Sequence, residues 1–180
     1  MGKVVTRQEL LDIRTRLREK KHRVVFTNGC FDILHRGHVE YLERAKGLGD
    51  VLIVGLNTDA SVQRLKGPGR PVVDQDDRAH VLTGLASVDF VCLFDEETPK
   101  KLIELLVPDI LVKGADWAVA DVVGREVVEG AGGEIRRSRE TVGRLARARQ
   151  ARGRPEPRTA QGGGRSDCEL PRSGGVAALP

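Results

Sequence analysis

Residues 23–56 read RVVFTNGCFDILHRGHVEYLERAKGLGDVLIVGL, and this stretch indicates the fold class. Its two ends, RVVFTN at 23–28 and VLIVGL at 51–56, are short apolar runs rich in β-branched residues, which is typical of buried strands. Between them the apolar residues recur at helical spacing, and two glycines follow in the manner of a helix C-terminus. The order strand, helix, strand predicts two parallel strands joined by a helix, because continuous apolar runs suit strands that are buried on both faces.

The flanking sequence continues this alternation. Thr6 and Glu9 form a capping-box pattern ahead of an apolar stripe that begins at Leu10. Further helices are predicted over residues 74–85, 98–107 and 120–129, and further strands over 90–94, over 109–113 and near Glu134. The pattern predicts an α/β fold with a doubly wound parallel sheet, Rossmann-like, over residues 1–135. In such sheets ligands bind beyond the carboxyl ends of the strands, so we expect a site among the segments that follow residues 28, 56, 94 and 113.

Residues 136–180 have a different composition. They hold eleven Arg and no Lys against four acidic residues, whereas the whole chain has a net charge of only +4. The first 135 residues are therefore net acidic, and the total charge is no argument for specific nucleic-acid binding. Rich in Gly and Pro and poor in large apolar residues, this basic tail is predicted to be disordered.

Several classes of protein are excluded by simple patterns. No run of about 18 apolar residues exists to cross a membrane, and the N-terminus lacks the apolar stretch of a secretory signal. The three cysteines lie far apart, which argues against a zinc site or a disulfide framework. No GxxxxGK[ST] loop is present, which disfavours a P-loop kinase. We therefore expect a cytoplasmic protein.

The chemistry concentrates where the first buried strand meets its helix, in His35-Arg36-Gly37-His38. Gly37 lets the backbone approach a ligand, and a helix N-terminus presents unpaired N–H groups to an anion. Two histidines three residues apart can donate hydrogen bonds to a phosphate whose charge grows in a transition state. His22 and His80 have no such neighbours, and we interpret them as ordinary polar residues.

TNGCFDILHRGH and the sequence after it resemble the cytidylyltransferase-like nucleotidyltransferases, a superfamily marked by an HxGH motif. Within that superfamily the chain is similar to the adenylyltransferase domain that makes ADP-heptose from D-glycero-β-D-manno-heptose 1-phosphate and ATP. RLKG at 64–67, RPV at 70–72 and LVKGADW at 111–117 carry this narrower resemblance, which covers roughly residues 7–135.

The resemblance implies roles for the residues of the first turn. His35 and His38 contact the reacting α-phosphate, Asp32 helps to set the turn, and the remaining residues line the nucleotide pocket. The nucleotide-binding residues implied here are Thr27, Asn28, Gly29, Phe31, Asp32 and Gly37.

Outside that turn, Lys66 in the glycine-flanked loop LKGPGR is implied to neutralise phosphate charge during catalysis. Arg78 could reach either the phosphates or an acidic neighbour such as Asp74. Trp117 could cover the base or simply pack. At the carboxyl end of the 109–113 strand, contacts to phosphate or ribose are implied for Lys113, Gly114 and Asp116.

Two further features receive structural interpretations. Asp95, Glu96 and Glu97 precede a predicted helix, and carboxylates at a helix N-terminus stabilise it. Cys30 is interpreted as a small buried residue rather than a reactive thiol.

The same resemblance implies ATP and a sugar 1-phosphate as substrates, with Mg²⁺ bound through the triphosphate and no metal site in the protein. A separate heptose kinase is expected to supply the sugar phosphate, and a homodimer stays open as the oligomeric state. One alternative is a cytidylyltransferase acting on glycerol 3-phosphate. Another is a protein that binds nucleotide or nucleic acid without catalysis.

The chain departs from the family after GGEIRR at 132–137. The family continues there with a Ser-Thr-Thr-like stretch that helps to bind the triphosphate, whereas here only Ser138 and Thr141 stand isolated. We hypothesise that a reading-frame slip replaced the original ending, which would impair turnover. Resequencing the gene across this region tests the hypothesis.

Overall fold

The computed structural model describes residues 1–114 and 122–137. Within them one sheet contains six strands, all parallel, in the spatial order β1-β4-β3-β2-β5-β6. The strands are β1 (Lys3–Val4), β2 (Val24–Gly29), β3 (Val51–Asn57), β4 (Phe90–Phe94), β5 (Ile110–Lys113) and β6 (Glu134–Arg137). The predicted parallel α/β sheet is confirmed.

Helices cover both faces of this sheet. The helices of the described residues are α1 (Arg7–Glu19), α2 (Arg36–Lys46), α3 (Asp59–Lys66), α4 (Gln75–Gly84), α5 (Lys100–Leu106) and α6 (Arg125–Gly130). Leu10 of α1, Ile103 of α5 and Val128 of α6 share one apolar cluster with the sheet. Leu42 of α2 and Leu82 of α4 belong to a second cluster, on the opposite face. The fold is therefore doubly wound, as predicted.

Two elements were not predicted from the sequence. β1 has only two residues, so no alternation can mark it. α3 has one well-buried apolar side chain, Val62, and its N-cap is Thr58, whose hydroxyl accepts a hydrogen bond from the Ser61 amide. A stripe of one residue gives no periodic signal, and the N-cap was its only mark.

β6 ends at Arg137, just beyond the predicted limit of the domain.

Several expectations fall outside the described residues. They concern the basic tail beyond Arg137, the start of the helix predicted at 120–129, Asp116, Trp117, Ser138 and Thr141. In the part of the chain that the structure covers, no helix has both the length and the hydropathy to cross a bilayer.

The strand order places an opening beside β2. β2 pairs with β3 over six registered residues, from Val24 with Val51 to Gly29 with Leu56. On its other side β2 pairs with β5 only at Val25 with Ile110 and Phe26 with Leu111. From β2 the chain continues to β3 and β4 on one side, and it then crosses to β5 on the other side. β2 and β5 therefore flank the topological switch point, where α/β sheets bind ligands.

The predicted capping box is present at the start of α1. The Glu9 amide donates to the Thr6 hydroxyl at 3.2 Å, and the Thr6 amide donates to the Glu9 carboxylate at 2.7 Å. We expect Thr6→Ala to lower the free energy of unfolding by about 1 kcal/mol, because an N-cap hydroxyl is lost. Urea denaturation measures the change. Thr15→Ala on the same helix removes a hydroxyl that bonds only back to the Leu11 carbonyl, so it is the control. Equal unfolding midpoints for the two variants would contradict the capping role.

Candidate functional site

A cavity of about 790 Å³ opens at the carboxyl ends of β2, β3 and β5. It lies among the segments that the strand-end rule singled out. Most of the residues predicted to form a site line it: Asn28, Gly29, Phe31, Asp32, His35, Gly37, His38, Lys66, Lys113 and Gly114.

His35 forms the N-cap of α2 through its own ring. Its backbone is extended, with φ of −139°, and its Nδ1 accepts a hydrogen bond from the Gly37 amide at 3.1 Å. Nδ1 therefore carries no proton in this arrangement, and the proton of the neutral ring lies on Nε2. A Cβ on residue 37 would lie 2.9 Å from His35 Cε1, so the ring and any larger side chain at 37 exclude each other.

His38 stacks on His35, with ring centroids 4.0 Å apart and planes inclined by 28°. Its other neighbour is Phe31, in an edge contact with centroids 5.4 Å apart. Burial lowers the pKa of His38, and electrostatic repulsion from the neighbouring His35 and Lys66 side chains lowers it further. Its Nδ1 is buried without a hydrogen-bond partner among the described residues. At neutral pH the ring is thus a neutral, preplaced donor, and one of its polar atoms has no partner in this part of the protein.

Asp32 holds the loop after α3 against the turn. Its carboxylate accepts hydrogen bonds from Arg70 Nη1 at 2.7 Å and from the amides of Val72 and Val73 at 2.7 and 3.1 Å. Burial raises the pKa of Asp32, but the bonds from Arg70, Val73 and Val72 outweigh it, and the pKa lies below its ordinary value. The carboxylate therefore stays ionised and is fully engaged in positioning the Arg70 side chain at the cavity.

Lys66 reaches the site from the last residue of α3. Gly67 follows with φ of 90°, a left-handed conformation that favours glycine, and turns the chain into the loop that carries Arg70. Lys66 lies close enough to His38 to lower the pKa of that ring. The ammonium of Lys66, on its long side chain, thus lies near the two imidazoles in the cavity.

Arg78 does not line the cavity, and its ion-pair partner differs from the predicted neighbour. Its side chain is 1% exposed and pairs with Asp59 at 2.6 Å. It also donates to the carbonyls of Val73, at 2.9 Å, and Cys30. Asp74 caps α4, where its Oδ1 accepts from the amides of Asp76 and Asp77. With its donors directed at the protein, Arg78 joins the first turn, α3 and the 70–73 loop.

Lys113 crosses the opening between β5 and β2. Its ammonium donates to the side-chain oxygen of Asn28, the residue at the corresponding end of the neighbouring strand. Burial lowers the pKa of Lys113 to about 8. The two residues stand at the switch point itself, so a ligand that enters the crevice meets this cation.

Thr27 lies behind the cavity wall, fully buried, with its hydroxyl 2.6 Å from that of Tyr41. Tyr41, Asn57 and Thr98 line the cavity although they were not predicted to. Asn57 ends β3 and Thr98 follows β4, so the strand-end rule pointed to their segments without selecting them. Cys30 also lines the cavity and is only half-buried, so its interpretation as a buried residue is wrong.

Two residues of the acidic run after β4 form ion pairs with other helices, whereas the run was expected to stabilise the start of the next helix. Asp95 pairs with Arg64 of α3 at 3.1 Å, and Glu96 pairs with Arg7 of α1 at 2.5 Å. α5 itself begins after Pro99 without a side-chain cap. The carboxylates therefore join separate helices, and they line a second cavity of about 610 Å³ whose arginines they neutralise.

The parallel sheet, the crevice at its switch point and the imidazole pair beside cations form a site suited to binding phosphate groups. The chain belongs to the cytidylyltransferase-like family, whose model matches residues 26–156. It is similar to bifunctional protein HldE of Citrifermentans bemidjiense, with 64% identity over 113 residues that cover 63% of this chain and 23% of that protein. HldE of Campylobacter concisus is 60% identical over 122 residues, or 68% and 25% of the two chains. The chain spans about a quarter of the length of these relatives.

The chain is also similar to a solved structure, at lower sequence identity. The lipopolysaccharide core biosynthesis protein from Thermoplasma volcanium is 31% identical, with a TM-score of 0.55. The match covers 64% of this chain and 93% of that one. The likeness therefore extends over nearly the whole of a smaller protein.

The Asp32 contacts predict a measurable loss of protection. In Asp32→Ala, we expect the amides of Val72 and Val73 to exchange with solvent at least about tenfold faster, because their common acceptor is gone. Hydrogen–deuterium exchange followed by mass spectrometry or NMR measures this. Asp76→Ala, on the exposed first turn of α4, is the matched control. Unchanged exchange at both valines would show that the loop is held by other contacts.

Proposed function

We propose that this chain transfers AMP from ATP to D-glycero-β-D-manno-heptose 1-phosphate, forming ADP-heptose and pyrophosphate. The observation that carries the proposal is the stacked pair of His35 and His38 at the start of α2, facing a cavity that also holds Lys66. The LVKGADW resemblance, which ends in residues outside the structure, supports the heptose substrate, as does the similarity to bifunctional HldE proteins.

The chemistry follows from what these side chains can do. An oxygen of the sugar phosphate attacks the α-phosphorus of ATP, the new P–O bond forms, and the bond to pyrophosphate breaks in line. The attacking phosphate is already ionised at neutral pH, so no general base is needed. The imidazoles donate hydrogen bonds to the phosphate oxygens as charge develops, and Lys66 neutralises the departing pyrophosphate. Catalysis therefore depends on positioning and electrostatic stabilisation.

Mg²⁺ is expected to come with the nucleotide. Within residues 1–114 and 122–137 no three His, Cys, Asp or Glu side chains converge to hold a metal ion. The Asp32 carboxylate is already engaged by three donors. This donor set fits an ion held mainly by triphosphate oxygens and water, as is usual for Mg²⁺. Bound there, the ion would neutralise phosphate charge, while the side chains of the cavity orient the phosphates.

A kinase reaction is the source we propose for the sugar 1-phosphate, as the preceding step in the cytoplasm, where ATP is available. The nearest alternative keeps the chemistry and changes the substrates to CTP and glycerol 3-phosphate. Pyrophosphate release assayed with ATP and with CTP, each against both phosphates, separates the two. Release only with CTP and glycerol 3-phosphate would overturn the heptose assignment, and release with no pair would overturn the activity of this chain.

We expect His38→Ala to lower kcat about a hundredfold or more, with a modest change in the Kd for ATP, because its donor acts mainly in the transition state. Steady-state pyrophosphate release gives kcat, and calorimetric titration gives the Kd. His80→Ala, which removes an exposed imidazole from α4, is the control and should behave as wild type. A wild-type kcat in His38→Ala would remove this ring from the mechanism.

The pKa of Lys113 predicts how nucleotide affinity depends on pH. Below a pH of about 8 the ammonium is charged and attracts the triphosphate, and above it the charge is lost. Affinity for ATP should therefore fall as the pH rises through about 8, and binding should take up a proton there. Calorimetry in buffers of different ionisation enthalpy measures both effects. Lys113→Arg does not titrate in this range, so a pH dependence that persists in this variant must come from another group.

A further inference from the structure

We propose that Tyr41 is a positioning residue for nucleotidyl transfer, whose hydroxyl fixes the first turns of α2, and with them the two imidazoles, against β2 and β5. The inference rests on the proposed function, since it concerns the same site. Neither the HxGH motif nor the strand-end rule singles out this residue.

The hydroxyl of Tyr41 sits where the two central strands part. The registered pairs of β2 with β5 stop at Phe26 with Leu111, but both strands continue toward the site. Beyond that pair, Tyr41 donates to the Val112 carbonyl of β5 at 3.2 Å and lies 2.6 Å from the Thr27 hydroxyl of β2. A phenol has one proton, so when Val112 receives it the Thr27 hydroxyl is the donor to Tyr41. One side chain of the cavity lining thus bridges both strands.

The bridge belongs to the same part of α2 as the imidazoles. Tyr41 follows His38 by three residues, so the two side chains share a face of the helix. The His35 carbonyl accepts from the amides of His38 and Val39 at 2.9 and 3.3 Å, which makes residues 35–41 one hydrogen-bonded unit. A shift at the hydroxyl would therefore move the rings.

Few other polar contacts restrain this end of the helix. Among the described residues, α2 side chains make hydrogen bonds to other elements at Tyr41 and, in the last turn, at Lys46, which contacts Asp89 and the Asp50 carbonyl. Arg36 and Arg44 pair with Glu40 inside the helix. Lys46 restrains the end away from the site, so the hydroxyl of Tyr41 is the polar restraint near the histidines.

Tyr41→Phe removes only the hydroxyl and keeps the packing of the ring. We expect kcat to fall at least about tenfold, because misplacement of a catalytic group by a fraction of an ångström is costly, while the Kd for ATP stays within about threefold. Burial is the main cause of the lowered pKa of His38. A looser helix end admits water, so the NMR titration midpoint of this ring should rise toward its ordinary value. The proposal requires both changes, and either one without the other overturns it.

A second pair of variants tests the bridge from its other side. Thr27→Val removes the partner hydroxyl and should reproduce both changes, whereas Thr27→Ser retains it and should show clearly smaller changes in kcat and in the His38 titration. Equal behaviour of the two variants would overturn the proposal even if Tyr41→Phe failed to fold. The control is Thr83→Val, which deletes a buried hydroxyl bonded to the His80 carbonyl on α4 and should leave both readouts unchanged. A matching loss of kcat in this control would also overturn it.

The NMR titration and the Kd for ATP do not require the sugar substrate. If wild-type protein released no pyrophosphate with heptose 1-phosphate, the proposed function would fail, yet the response of the His38 titration to Tyr41→Phe would still be measured. The two proposals can therefore fail separately.

Discussion

The ladder between β2 and β5 stops after two registered pairs, and the chemistry of this protein depends on that early end. A longer ladder would close the crevice, whereas a shorter one would leave the sheet in two halves. Past the last pair, side chains take over from the backbone: Tyr41 bridges Thr27 and Val112, and Lys113 reaches Asn28. The site is thus built from the groups that hold the parted strands in place.

Ionised groups buried behind the site hold its loops together. Arg78 and Asp32 are almost fully buried, and each binds partners on segments distant in sequence. Burial of charge is costly unless every donor or acceptor is satisfied, and such groups add little net stability. What they provide here is a fixed distance between the turn that carries the imidazoles and the loop and helix that carry Arg70 and Lys66.

Periodicity and the strand-end rule predicted the fold and the place of the site from the sequence. Each buried strand was visible as an apolar run, and HxGH marked the turn whose histidines the structure brings together. Partners distant in sequence were not predictable. Arg78 has a carboxylate four residues earlier, but the structure pairs it with Asp59, while Asp74 caps α4. The role of Tyr41 was not predictable either, because packing explains its position in the helical stripe equally well.

The contact between Gly37 and the His35 ring bears on how the motif can change over evolutionary time. Because a methyl group at 37 would collide with the ring that caps the helix, the glycine and the first histidine depend on each other before any substrate is considered. A side chain at 37 requires the His35 ring to move or to be lost, whereas loss of the ring alone creates no such collision. Lineages that abandon this chemistry should therefore lose the histidine no later than the glycine.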